Sequence, residues 1–335
     1  MVRLDDASNA KATTLWRAGL ESPVRVVGVV EFGGPEALQV IEIPERHAGL
    51  GEVRIRVRAA TVNPTDTYVR NGSRAKSLTK DPPPYVPGMD VAGVLDEIGE
   101  GVATDLTVGD DVMAIVLPSG AHGGYCESIV VPVESVARVP AGTSHAEAST
   151  LPMNGLTARL ALDLLNLQPG QTLAVTGAAG SFGGYVVQLA KADGVRVIAD
   201  ASSADEQLVR DLGADIVVPR GDDVADHVRK AFPEGVDALA DGSVQNALVL
   251  PAVKDGGSVA AVRLFEGDSE RGITIHPVWV RDYVREQAKL DRLREQVENG
   301  EISLRVARTF PAEEAGEAHR ILEAGGTRGR LVITF

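Results

Sequence analysis

Three glycines recur at intervals of three residues in the segment Thr176-Gly-Ala-Ala-Gly-Ser-Phe-Gly-Gly184, between a short apolar run and a stretch of helical spacing. Glycines allow a tight turn and a close approach to a pyrophosphate, and a helix N-terminus adds N–H donors and positive dipole potential. Glycines also ease helix–strand packing, so the G-x-x-G-x-x-G spacing alone is a weak signal. Its strand–turn–helix context predicts a dinucleotide site. We assign to it Gly177, Ala178, Gly180, Ser181, Phe182 and Gly183.

Strands and helices alternate on both sides of this turn. The apolar run at 171–176 predicts the strand before it, and the spacing at 185–192 predicts the helix after it. Further strands are predicted at 195–199, 216–218, 236–240 and 258–262, and further helices at 206–212 and 224–231. Strands and helices of these lengths in alternation predict βαβ units and a parallel sheet.

The two ends of the chain have a different pattern. Val53, Ile55 and Val57 alternate with arginines, which predicts a half-buried antiparallel strand over 52–58. Gly and Pro clusters follow repeatedly, so the first 145 or so residues read as a β domain. Near the end, 279–298 and 311–324 are predicted helices and 330–335 a closing strand. Residues 1–23 lack a clean period and are predicted to be an N-terminal extension.

Composition excludes several classes of function. The 335 residues carry 47 acidic and 33 basic side chains, and the net charge of −14 argues against binding to nucleic acids or anionic membranes. A single cysteine, Cys126, excludes an intrachain disulfide and a thiolate-rich zinc site. Residues 1–14 carry no apolar run, and no stretch approaches ~18 apolar residues. We therefore expect no signal peptide, no membrane span and a cytoplasmic location.

An ordered set of motifs resembles the zinc-independent medium-chain dehydrogenases/reductases of the quinone oxidoreductase type. The motifs lie at 31–38, 62–72, 87–93, 108–112, 154–158, the glycine turn, 212–215, 235–237, 256–257 and 311–332, so the resemblance covers about 23–335. It implies an α/β protein with a GroES-like β domain (24–147 and 288–335) and a Rossmann domain with a doubly wound parallel sheet (148–287). The family's active-site cleft runs between these domains.

The resemblance also implies that the protein holds no zinc. Where zinc-dependent relatives carry a ligating Cys and a Gly-His-Glu, this chain has Asn63 and Gly88-Met89-Asp90. The six histidines show no paired ligand spacing. Without a Lewis acid to polarise a simple ketone, the substrates implied are good hydride acceptors, namely quinones and conjugated carbonyls.

The family places the Asn-Pro-x-Asp-x-Tyr segment beside the nicotinamide and the substrate. Asn63 and Tyr68 are therefore our candidate catalytic residues, because a Tyr hydroxyl can donate a hydrogen bond or a proton. The alternative is that Asn63 and Asp66 brace the loop and that Tyr68 packs. We favour this bracing role for Asp66.

The choice of cofactor depends on the residues after the second strand of the Rossmann domain. Asp200 follows Gly183 at the distance of a ribose-binding acid, which would favour NADH. Aligned with zinc dehydrogenases, however, it is offset by one residue, so we expect its side chain to point away. Ser202, Ser203 and Arg220 could bind a 2′-phosphate, although Arg220 could also be a solvated loop charge and Asp205 and Glu206 would repel the phosphate. We favour NADPH, with NADH possible, and add Leu264 and Arg330 to the cofactor site.

Three functions remain open at this point. The protein could be an NADPH-dependent quinone oxidoreductase, an alkenal, enone or enoyl reductase (possibly of natural-product biosynthesis), or a non-catalytic NADPH-binding protein like the lens crystallins of this family. We favour the first, with a small-molecule quinone or conjugated carbonyl as substrate. The resemblance also implies a homodimer that pairs strands near 258–262 and the segment after it.

Overall fold

The computed structural model describes residues 23–73, 75, 81–263, 265, 267 and 270–335. Residues 1–22 of the predicted extension and Leu264 of the predicted cofactor site lie outside the described residues. The chain divides into two compact units. The first runs to Met153 and includes Val284–Arg294 and Leu304–Phe335, whereas the second comprises Asn154–Tyr283 and Glu295–Ser303.

Strands and helices are numbered in chain order. The strands are β1 (Pro23–Gly28), β2 (Gln39–Pro44), β3 (Glu52–Thr61), β4 (Asp90–Ile98), β5 (Asp111–Ile115), β6 (Ser128–Pro132), β7 (Val136–Arg138), β8 (Thr172–Thr176), β9 (Arg196–Ala201), β10 (Ile216–Pro219), β11 (Val236–Asp241), β12 (Val253–Ala261), β13 (Thr274–Pro277), β14 (Val306–Pro311) and β15 (Arg330–Thr334). The α-helices are α1 (Pro64–Arg70), α2 (His145–Ala148), α3 (Pro152–Leu165), α4 (Ser181–Ala192), α5 (Glu206–Asp211), α6 (Val224–Ala231), α7 (Gln287–Glu298) and α8 (Ala315–Ala324). Short 3-10 helices lie at Pro35–Ala37, Val133–Ser135, Asn246–Ala252, Val280–Tyr283 and Ala312–Glu314.

The first unit is built around a sheet of order β14-β15-β3-β4-β5-β7, with β6 on a further stretch of β3, and a β1–β2 hairpin. The predicted strand over 52–58 is confirmed as part of β3, with Val53, Ile55 and Val57 in the core. Arg54 faces the other way but is also buried, because the Asp96 carboxylate accepts from its guanidinium at 2.9 Å. Apolar residues at alternate positions of β3 thus cover one face of this sheet.

The second unit contains a six-stranded parallel sheet of order β10-β9-β8-β11-β12-β13. The predicted strands from 171 to 262 and the helices between them are confirmed, with bounds shifted by a few residues. The strand order reverses between β8 and β11, as in a doubly wound dinucleotide-binding sheet, where ligands bind at the carboxyl ends of the strands beside such a reversal. Glycines 177, 180 and 183 lie at this edge.

The single helix predicted over 279–298 is wrong. The chain forms the 3-10 helix Val280–Tyr283 and begins α7 only at Gln287. The carbonyl of Val284 accepts a hydrogen bond from the Ser135 hydroxyl at 2.7 Å, and the Gln287 amide donates to the carbonyls of Val133 and Val136. The carbonyl of Val284 therefore has a partner outside the helix, and the Gln287 side chain ties the start of α7 to the segment 133–136. Among the helices of the described ranges, none is both long and apolar enough to cross a membrane.

Candidate functional site

The glycine turn joins β8 to α4 at the carboxyl end of the parallel sheet. Gly177 adopts a left-handed φ of +67° and starts the turn, and Gly180 occupies the N-cap position, where it supplies no side-chain cap. The amides of Ser181, Phe182 and Gly183 lie in the first turn of α4, which has no acceptors for them within the helix. The structure therefore brings these predicted cofactor residues together in an arrangement suited to a pyrophosphate.

Position 183 requires a glycine for packing, independently of cofactor binding. A Cβ atom at this position would collide with the carbonyl oxygen of Gly177, whereas one at Gly180 would lie 3.1 Å from the same oxygen. The absence of a side chain at 183 thus allows α4 to pack closely against the end of β8. A branched side chain there would disturb the turn whether or not a cofactor is bound.

Asp200 does not point away from the turn, which corrects the expectation from the strand offset. Its side chain is buried, and Oδ1 accepts a hydrogen bond from the amide of Ala178 at 3.1 Å. Burial raises the pKa of Asp200, while the amides of Ala178 and Gly177 and the charge of Arg220 act in the opposite direction. The Asp200 side chain therefore points toward the glycine turn, because the backbone N–H groups of the turn donate to its carboxylate.

The other residues predicted to bind a 2′-phosphate lie at the same edge of the sheet. Ser202 donates its hydroxyl hydrogen to the carboxylate of the buried Asp205 at 2.5 Å, and Ser203 is exposed. Arg220 is exposed after β10, where its amide donates to the carbonyl of Ala201 at 3.0 Å. Its guanidinium makes no hydrogen bond or ion pair with the described residues, although its charge acts on Asp200. Ser202 is therefore already engaged, and Arg220 is available.

The loop after β11 is a part of this edge that the sequence analysis missed. The buried carboxylate of Asp241 accepts from the Thr176 hydroxyl and from the Asn246 amide, both at 2.7 Å. Val244 and Asn246 adopt left-handed φ angles of +60° and +57°. For a β-branched residue such as Val244 this conformation is a genuine outlier, and such strain clusters at ligand-binding loops.

Two side-chain amides of this loop carry buried oxygens. Gln245 donates Nε2–H to the carbonyl of Gly221 at 2.9 Å, which fixes its orientation. Its Oε1 and the Oδ1 of Asn246 have no hydrogen-bond partner among the residues that the structure describes. Buried acceptors need donors, and the amine and hydroxyl groups of a dinucleotide are suitable donors. The polar run Asp241-Gly-Ser243 after a predicted strand was the available sequence signal.

Asn63 lies in a buried polar cluster of the first unit. It precedes α1 and is fully buried, and its side-chain amide donates to the Asp90 carboxylate at 2.7 Å and to the Thr61 carbonyl at 3.3 Å. Arg330 donates to the Asn63 side-chain oxygen and, at 2.8 Å, to the carbonyl of Val62. Two predicted site residues are thus brought together, and the hydrogen bonds of Asn63 favour its bracing role.

Asp90 closes this cluster from the other side. It accepts from the amide of Met153 at 2.6 Å, and burial raises its pKa to about 6, against the charge of Arg330 and the hydrogen bond from Asn63. Asp90 therefore takes up a proton at a higher pH than an ordinary aspartate does. The cluster holds the start of α1, and with it the half-buried Tyr68, in place.

A hydrogen-bonded chain continues from Asp66 into the interior. The Asp66 carboxylate accepts from the amide of Asn63 at 2.8 Å and from the Tyr125 hydroxyl at 3.0 Å, and burial raises its pKa to about 7. The Tyr125 hydroxyl lies 3.1 Å from Nε2 of His319, whose Nδ1 faces the Arg70 guanidinium at 3.2 Å. Arg70 can only donate, so Nδ1 of the neutral His319 accepts and Nε2–H donates to Tyr125.

The positions that match zinc ligands carry poor zinc donors. Asn63 uses its amide within the cluster, and the thioether of Met89 accepts from the Thr65 hydroxyl at 3.2 Å. Within the described part of the chain, no group of three or more His, Cys, Asp and Glu side chains could hold a metal ion. An amide and a thioether do not fit the thiolate and imidazole preference of catalytic zinc.

Comparisons with known proteins agree with this architecture. A family described as the alcohol dehydrogenase GroES-like domain matches residues 49–141, and a zinc-binding dehydrogenase family matches 212–333. The 2-haloacrylate reductase of a Burkholderia species is 30% identical over 90% of this chain and 96% of that protein. The quinone oxidoreductase of Lama guanicoe is 29% identical over 92% of this chain and 97% of the relative. The chain belongs to the quinone oxidoreductase family of medium-chain dehydrogenases/reductases.

A solved member of this family has the same fold. The quinone oxidoreductase of Coxiella burnetii superposes with a TM-score of 0.83 at 26% identity, covering 94% of this chain and 100% of that one. The protein is therefore an oxidoreductase of the nicotinamide-dependent type that its family comprises. The resemblance identified from the ordered motifs is confirmed, and so is the α/β fold with a GroES-like and a Rossmann-type domain.

Proposed function

We propose that the protein is an NADPH-dependent quinone oxidoreductase that works without zinc. The observation that carries this proposal is the glycine turn of the second unit, at the strand-order reversal of a parallel sheet. A nicotinamide dinucleotide bound there would supply a hydride. The amides from Ser181 to Gly183 would hold its pyrophosphate, and the buried oxygens of Gln245 and Asn246 would accept from its donors.

NADPH is proposed over NADH because of one free cation. Arg220 offers a guanidinium that no described residue binds, and charge-assisted contacts to phosphate are strong. The carboxylates of Asp200 and Asp205 would repel a 2′-phosphate. Asp200 also favours NADH as the competing cofactor, because an acid at this position can bind the ribose hydroxyl. The preference therefore depends on which charge dominates at the adenosine ribose.

The proposed substrate class follows from the side chains at the positions where zinc-dependent relatives carry their ligands. Asn63 and Met89 do not supply a Lewis acid, so the substrate must accept a hydride without one. Quinones and conjugated carbonyls do so, because charge that develops on oxygen is delocalised. We propose that Tyr68 donates a hydrogen bond to the substrate oxygen and that Asn63 is a positioning residue that holds the start of α1.

The second candidate function is reduction of a conjugated carbonyl at carbon, with a proton delivered to the α-carbon. The relative named 2-haloacrylate reductase specifically favours this alternative. The two functions differ in what Tyr68 must do. A quinone needs only a hydrogen bond, whereas an enone needs an acid.

A panel of NADPH and NADH oxidation assays tests the proposal. The panel contains a naphthoquinone, an enal, an enone, a 2-haloacrylate and an enoyl thioester. We expect the highest kcat/KM with the naphthoquinone and NADPH. Turnover confined to the conjugated acids or thioesters would move the assignment to the second candidate, and no turnover with any acceptor would contradict both.

We also propose that the protein is a homodimer. Strand β13 pairs with β12 on one side and has no other strand partner among the described residues. An open strand edge is a ready surface for pairing with a second copy. Light scattering coupled to size exclusion would show a mass near twice the 35.2 kDa of the chain.

A further inference from the structure

The first unit contains a cavity that none of the functions above uses. Its volume is about 490 Å³, within the range of small-molecule sites. Val24 and Val26 of β1, Ile43 of β2 and Ile129 of β6 line it with apolar side chains, and the run Pro82–Pro84 adds a further wall. An apolar lining of this kind suits the hydrocarbon part of a ligand.

The cavity is distinct from the Asn63 cluster. Of the neighbours Tyr125 and Cys126, Cys126 belongs to the cavity lining and Tyr125 does not. The Tyr125 hydroxyl reaches Asp66 in the cluster, whereas Cys126 lines the cavity. Burial raises the pKa of the Cys126 thiol to about 12, so this side chain remains protonated and acts as part of the apolar wall.

Two polar side chains in the lining are available to a ligand. The imidazole of His122 makes no hydrogen bond with the described residues, and burial together with the charge of Arg46 lowers its pKa to about 4. It is therefore neutral at physiological pH and presents one donor and one acceptor. The guanidinium of Arg46 is exposed at the rim and makes neither a hydrogen bond nor an ion pair within the described ranges.

The charge at the rim selects the ligand. The carboxylate of Asp81 also lies there; it accepts from the Ser119 hydroxyl at 3.2 Å and forms no ion pair with Arg46. Arg46 lies beside the neutral donor His122, and its guanidinium makes no ion pair within the part of the chain that the structure describes. A single negative charge on an apolar body complements this arrangement, and a carboxylate matches the planar fork of an arginine.

We propose that this cavity is a second small-molecule site that binds a hydrophobic carboxylate. The aryl or alkyl part lies against Val24, Val26 and Ile43. The carboxylate pairs with Arg46 and accepts a hydrogen bond from His122. The site belongs to the GroES-like unit and does not depend on the proposed reductase activity.

Fluorine NMR titration of the full chain with 3-(4-fluorophenyl)propionate tests the proposal, with the corresponding amide as a neutral probe of the same shape. In both probes the two carbons between the aromatic ring and the carbonyl group are saturated, so neither probe is a substrate for conjugate reduction. We expect one site, and Arg46→Gln should weaken the acid about tenfold while leaving the amide unchanged. Arg46→Lys should restore part of the affinity, and Arg58→Gln, at an exposed arginine outside the lining, should change nothing.

The location is tested with Ala121→Phe, which places a large side chain at an exposed position of the cavity lining. Both probes should lose binding in this variant, and saturating NADPH should displace neither from the wild-type chain. Absence of binding, equal losses of acid and amide in Arg46→Gln, binding that ignores Ala121→Phe, or displacement by NADPH would each overturn the proposal. None of these readouts measures turnover, so failure here leaves the proposed reductase function standing.

Discussion

Arg220 and Asp200 place opposite charges beside the glycine turn, and under the proposed function their balance sets the choice between NADPH and NADH. Arg220 is exposed, so solvent screens its charge, whereas Asp200 is buried against the turn amides. The amide of Ala178 holds the carboxylate in place, whereas the guanidinium makes no hydrogen bond with the described residues. We therefore expect single substitutions at this edge to change the preference between the two cofactors.

Arg220→Ala should weaken NADPH binding about tenfold and leave NADH nearly unchanged, because only NADPH carries a phosphate for the guanidinium. Fluorescence titration of both cofactors measures this. Arg210→Ala, at an exposed arginine of α5 that pairs with Glu206, is the matched control and should alter neither affinity. A wild-type preference for NADH, or equal losses of both cofactors, would give Asp200 the ribose instead.

Tyr68→Phe separates the two candidate functions. With a quinone we expect a loss of only a few-fold in kcat, because a neutral hydrogen bond contributes about 1 kcal/mol. With an enone the missing acid should cost ~10²-fold or more. A hundredfold loss with an enone, accompanied by negligible quinone turnover of the wild type, would establish the second function.

At the scale of elements, the strand–turn–helix unit of β8 and α4 tolerates different changes at its glycines. Gly183→Ala should lower the melting temperature and abolish cofactor binding, because its Cβ would collide with the Gly177 carbonyl. Gly180→Ala meets the same oxygen at 3.1 Å with an ordinary φ of −73°, so a small shift accommodates it. Thermal unfolding and cofactor titration of both variants check this order, and equal behaviour would contradict it.

The packing of α8 against α1 makes folding sensitive to acid. His319 of α8 is fully buried, and burial together with the charge of Arg70 lowers its pKa to about 3 from the ordinary 6.5. Between these values the unfolded chain binds the proton and the folded chain does not. The free energy of unfolding therefore falls as the pH drops below about 6.5, and the loss levels off near pH 3.

His319→Gln should flatten this acid limb. Glutamine keeps one acceptor and one donor but binds no proton, so the variant should be less stable at neutral pH and lose less on acidification. Between about pH 7 and pH 4.5 the wild type should lose roughly 2–3 kcal/mol more than the variant. Urea unfolding at several pH values measures both curves, and parallel acid limbs would reject the role of His319.

At the scale of the whole molecule, the replaced ligand positions make a prediction about metal. Reductase activity should survive a strong chelator, and the purified protein should contain no stoichiometric zinc. Elemental analysis and assays before and after chelation check both. Activity lost to the chelator and restored by zinc would contradict the proposal that Asn63 and Met89 leave the protein without a zinc site.

The sequence alone determined one strand of the first unit and most strands and helices of the parallel sheet, with their order. Alternation in 52–58 placed a strand, and the strand–helix rhythm from 171 to 262 gave the parallel sheet, because these periods reflect which face each residue buries. The glycine turn was identifiable for a related reason. Its residues act through the local backbone, so their spacing and their neighbours in sequence suffice to predict it.

Only the tertiary structure decided where individual side chains point and what they meet. Asp200 turned to the amides of Ala178 and its neighbour, Asn63 became buried between Asp90 and Arg330, and Val284 gave its carbonyl to Ser135. Each outcome depends on a partner between 22 and 267 residues away in sequence. Periodicity describes a residue's own element, whereas hydrogen bonds, burial and cavities are properties of the segments that packing brings together.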